Sequence, residues 1–102
     1  MARPHLEFHP EVGDEISEAI SWYSQRSNAA ADEFMVALGD ALEKIAADPE
    51  RAAVYMHGRR AVRVGQFPYV VVYRKHGPIV RISAVAHTSR RPGYWKNRRF
   101  TK

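Results

Sequence analysis

Tyr69-Val70-Val71-Val72-Tyr73 is an unbroken run of β-branched and aromatic side chains, the composition of a strand. Val71 lies out of phase with Val70 and Val72, so both faces of this strand are apolar. A strand of that kind is buried on both sides, or is covered on one side by a partner. Upstream, Ala61-Val62-Arg63-Val64 alternates, and Phe67-Pro68 separates it from the valine run. Downstream, Ile79 to Val85 alternates again. His76-Gly77-Pro78 supplies the turn, so the last two strands pair as an antiparallel hairpin. Alternation assigns Val80, Ile82 and Ala84 to one face, and Arg81, Ser83, Val85 and His87 to the other. Arg63, opposing Val62 and Val64, joins the polar face.

Before this meander the period is helical. Leu6 and Phe8 alternate with His5, Glu7 and His9 and predict a short strand near the start. His9-Pro10 introduces a helix, and Val12, Ile16, Ala19, Ile20 and Tyr23 form its apolar stripe. Gln25 to Asn28 breaks the pattern, with Asn28 read as the N-cap of a second helix. Phe34, Leu38, Ala41, Leu42 and Ile45 form the second stripe, which Asp48-Pro49 stops. So short a connection makes the two helices an antiparallel hairpin. The fold class is α+β: an N-terminal strand, an antiparallel helical hairpin, then a three-stranded antiparallel meander whose sheet packs on the hairpin. Residues 1–102 form a single domain with a basic C-terminal tail from about 88.

The charge is segregated. Residues 1–50 hold all eleven acids and three bases, whereas residues 51–102 hold thirteen bases and no acid, for a net +5 overall. A half without carboxylates attracts phosphates or an acidic protein segment. It also lacks the ligands for a magnesium site or a paired-carboxylate hydrolase. Cysteine is absent and the five histidines lack metal-ligand spacing, so no metal and no cofactor are expected. No apolar run spans a bilayer, and no signal peptide opens the chain, so a soluble cytoplasmic protein without membrane contact is expected.

The densest functional stretch is His87-Thr88-Ser89-Arg90-Arg91-Pro92-Gly93-Tyr94-Trp95-Lys96-Asn97-Arg98-Arg99. Interleaved cations and rings suit RNA, with guanidinium groups on phosphates and rings stacked on bases. The alternative is a tail whose Tyr94 and Trp95 pack back on the domain edge. Arg63, Arg81, Arg90, Arg91, Lys96 and Arg98 are the candidate binders of RNA or of an acidic partner. Trp22, Met35, Tyr94 and Trp95 are the candidate apolar contacts for a partner. His87 exchanges a proton near neutral pH, and Tyr94 donates one if its pKa is lowered.

Strand, helical hairpin, Gly58-Arg59-Arg60, Phe67 to Arg74 and Ile82 to His87, followed by Arg90-Arg91-Pro92-Gly93-Tyr94-Trp95, together resemble the RelE/ParE toxin superfamily of type II toxin–antitoxin modules. The likeness covers nearly the whole chain. It implies one of two activities. RelE-like members cleave mRNA on the ribosome without metal; ParE-like members bind and poison DNA gyrase. Both are neutralised by a cognate antitoxin, in a toxin–antitoxin hetero-oligomer. The resemblance places Thr88 where RelE-like enzymes often carry an arginine, and His87 where a lysine stands. Tyr94 falls on a family tyrosine and Arg90 on a basic position, so the RelE-like reading makes His87, Arg90 and Tyr94 catalytic. The long hairpin and the Trp22-Tyr23 pair are more similar to ParE-like members. A gyrase inhibitor is therefore the first expectation, a ribosome-dependent endoribonuclease the second, and a non-toxic binding module for an acidic partner the third.

Overall fold

The computed structural model describes residues 3–100. The chain runs β1 (His5–Phe8), α1 (Pro10–Ser24), α2 (Asn28–Ala47), β2 (Val54–Met56), β3 (Arg59–Arg63), β4 (Tyr69–His76) and β5 (Ile79–His87). His9 caps α1, its Nδ1 accepting the Glu11 amide at 3.1 Å, and Pro10 fills the first helical position. The cap of α2 is Ser27, not Asn28: the Ser27 hydroxyl accepts the Ala30 amide while Asn28 is already helical. Asp48 ends α2, where the following Pro49 disfavours another helical turn.

The sheet is mixed, in the order β1-β5-β4-β3-β2. β1 pairs parallel with β5, and the other neighbours are antiparallel. β2 adds an edge strand to the three-stranded meander that the sequence pattern predicts; its three residues are too few for a period to show. The helices cover one face. Val12 and Ala19 from α1, with Phe34, Leu38, Ala41 and Ile45 from α2, meet Val64, Val71, Tyr73, Val80, Ile82 and Val85 of the sheet side.

The alternation of β5 does not run through. Val72 pairs with Ala84 but Tyr73 pairs with Ile82, which leaves Ser83 as a bulge. One extra residue reverses the phase. Val80 and Ile82 point to the helices before the bulge, and Val85 does so after it. Ala84 thus faces away from the helices, contrary to strict alternation, and His87 falls on the helix side with Val85 rather than beside Arg81.

The second face is not open either. Residues 88–100 fold back over it in a series of turns, and Trp95, 1% exposed, lies on Val72, Ala84 and Ala86. The valine run of β4 is buried on both sides because the chain covers its own sheet.

Candidate functional site

Val12, Glu15, Ile16 and Ala19 share one side of α1, so the helix carries a carboxylate into its own apolar stripe. Glu15 is 9% exposed. A buried carboxylate is tolerated only when its oxygens are paired. Here Oε1 accepts the Val85 amide at 2.9 Å, next to the bulge that turns this amide toward α1. Oε2 accepts the Tyr94 hydroxyl at 2.6 Å and the Arg98 guanidinium at 2.9 Å. Arg90 Nη1 stands at 3.6 Å from the same oxygen, its guanidinium 3.6 Å above the Tyr94 ring centroid.

Arg98, whose side chain is 10% exposed, also donates to the Ser83 carbonyl at 3.1 Å and to Glu11 at 3.2 Å. Burial opposes its charge, but the hydrogen bond and charge of Glu15, with Glu11, carry its pKa upward. Tyr94 is shifted upward too, first by burial, then by its hydrogen bond to Glu15 and the charge there; Arg90 and Arg98 pull weakly the other way. The shift runs opposite to the lowered value expected of a proton donor, and the phenol donates its hydrogen bond to a carboxylate.

Beside this cluster lies a cavity of about 330 Å³, lined by Glu15, Glu18, Trp22, Tyr69, His87 and Arg90 among others. His87 packs edge-on against Tyr69, with ring centroids 4.9 Å apart. Its Nδ1 accepts the Ser89 amide at 3.0 Å. His87, Arg90 and Tyr94 are thus neighbours around one end of the sheet, with Arg98 on the same carboxylate and Trp22 on the same cavity, while Arg63 and Arg81 lie apart from them.

Arg81 pairs with Glu7 at 2.8 Å, and Arg98 is committed to Glu15. Arg63 donates to the Phe67 carbonyl at the end of β3 and lines a separate cavity with Asp40 and Lys44 of α2. The single basic face expected from strand alternation does not form. First-half carboxylates meet second-half bases across the fold, and the bulge splits what alternation had joined. Arg63, Arg90, Arg91 and Lys96 remain at the surface.

Of the apolar candidates, Trp22 is 49% exposed and Met35 44% exposed, with Arg26 lying 3.4 Å over the Trp22 ring. Trp95 is withdrawn from any partner because it seals the sheet, and Tyr94 is half-buried beside it. Glu15 escaped the sequence reading. Its place three residues after Val12 and four before Ala19, inside the stripe, was the available signal. Among the described residues no cluster of three His, Asp or Glu is placed to hold a metal ion. No helix there is long and apolar enough to cross a membrane.

Residues 6–92 match the family described as the ParE toxin of type II toxin–antitoxin systems, parDE. The chain belongs to the ParE toxin family. Its fold is also that of a solved structure described as the chromosomal ParDE TA system from P. aeruginosa, with a TM-score of 0.73 at 11% identity. That likeness covers 85% of this chain and 98% of the other. A comparison with curated proteins gives no sequence match. The RelE/ParE-like α+β architecture and the ParE-like branch are the ones the resemblance implied.

Proposed function

We propose that this ParE-family chain is the toxin of a type II module, that it acts by inhibiting DNA gyrase, and that a cognate antitoxin neutralises it. The family match across residues 6–92 carries the reading. The site geometry is in keeping with a binding mechanism. Tyr94 is held as a hydrogen-bond donor to Glu15, and Arg98, a possible phosphate ligand, is spent on the same carboxylate. What the surface offers instead is exposed Trp22 and Met35 on the hairpin, and Arg90, Arg91 and Lys96 on the tail. These suit a protein partner, with the basic set matched to an acidic segment of the antitoxin.

The decisive experiment follows supercoiling by purified gyrase and message integrity in a translating extract, side by side, as the protein is added. Loss of supercoiling with intact message supports the proposal. Codon-positioned cuts with normal supercoiling overturn it in favour of the ribonuclease reading, for which the closeness of His87 and Arg90 around one cavity is the favouring observation. A His87→Ala, Tyr94→Phe double variant discriminates further. Loss of a true acid or base costs on the order of 10²–10⁴ in rate, whereas growth arrest by a gyrase binder survives it.

A further inference from the structure

The last backbone hydrogen bond from the tail to the body is that of the Thr88 amide to the Pro68 carbonyl at 2.9 Å. Beyond it, among the described residues, the tail's backbone bonds are local: Arg90 to His87, Tyr94 to Arg91, Lys96 to Gly93 and Arg98 to Trp95. Every other tie to the body involves a side chain. Trp95 rests on Val72, Ala84 and Ala86, while Tyr94, Arg98 and Arg90 converge on Glu15. The carboxylate is divided in its service. Oε1 holds the body through the Val85 amide, and Oε2 holds the tail.

We infer that residues 89–100 are a strap that undocks as one unit from a body that stays folded, and that Glu15 is its latch. Segments without backbone pairing to the core open at lower free energy than sheet and helix. Bonds that one short segment makes to one carboxylate are coupled, because each keeps the groups that make the others within reach of Glu15. Undocking strips the cover from Val72, Ala84 and Ala86, and takes Arg90 away from the cavity beside α1. The device stands independently of the gyrase reading, since it rests on the geometry of the free chain.

Hydrogen exchange by mass spectrometry on the full chain tests it, comparing wild type with Glu15→Gln and Tyr94→Phe. Glutamine keeps a carbonyl acceptor for the Val85 amide but loses the charge that holds Arg98. In the wild type the Tyr94, Lys96 and Arg98 amides are expected to be at least about tenfold less protected than those of α2 and β4, and their exchange to rise about 10–100-fold in Glu15→Gln and about tenfold in Tyr94→Phe. Tail amides exchanging at wild-type rates in both variants overturn the inference. Wild-type tail amides as protected as those of α2 and β4 also overturn it, because the tail then opens only with the whole domain. If Glu15→Gln does not fold, Tyr94→Phe alone decides by the same two outcomes, since it leaves the Glu15 bonds to Val85 and Arg98 in place.

Discussion

The Tyr94 hydroxyl donates to Glu15 Oε2 at 2.6 Å, joining the first helix to the tail across 79 positions of sequence. With Arg98 on the same oxygen, the pair is a buried ionic cluster rather than a surface bridge. Removing one member leaves the others buried and unmatched. Glu15→Ala is expected to cost about 3–5 kcal/mol, read as a shift in the urea midpoint. Glu43→Ala, which breaks only the exposed pair with Arg3, is expected to cost less than about 1 kcal/mol.

Tyr94 also gives the protein an alkaline limit. Its folded pKa is raised, so folding favours the protonated phenol. That contribution is complete below the unfolded phenol value of about 10 and is lost as pH climbs through it toward the raised folded value. Tyr23, Tyr69 and Tyr73 shift the same way, led by burial, so stability falls in alkali even without Tyr94. The Tyr94→Phe variant should therefore show a shallower alkaline loss in denaturation series run on either side of pH 10.

At the start of α2, two adjacent polar residues compete to cap the helix and one wins. Ser27→Ala removes the acceptor for the Ala30 amide and is expected to cost about 1 kcal/mol. Asn28→Ala places a better helix former at a position already helical and should be neutral or stabilising by a few tenths of a kcal/mol. Thermal melts of the two single variants check the assignment.

Gly93 turns the tail so that Tyr94 and Trp95 reach their partners. Its φ is +82, and a Cβ added there lies 2.9 Å from His57 Nε2. Gly93→Ala combines a left-handed backbone with a collision and is expected to destabilise by about 1–3 kcal/mol in chemical denaturation. Gly77, also at positive φ but with open space around it, should pay only the backbone part.

Both helices, four of the five strands and the helical cover of the sheet were legible because their alternation or periodicity shows in the residues themselves. The apolar stripes of α1 and α2 and the valine run of β4 needed no tertiary information. β2 was not legible, for it has three residues and its register slips between Val54 and Met56. The bulge at Ser83 was invisible for a different reason. Every side chain from Ser83 to Ala86 is small or β-branched, so either phase of the strand reads equally well. Charge segregation correctly marked the two halves, but it does not report which opposite charges meet. Arg98 finds Glu15 only because the tail crosses the sheet.

The position of β5 between β1 and β4 governs when the molecule can assemble during synthesis. β1 is made before the other strands, yet its partner in the sheet is the last of the five. A nascent chain stopped before Ile79 has its helices but lacks the strand that joins β1 to the rest of the sheet. Such truncated products gain little from partial folding, so the folded domain appears only once β5 has been made.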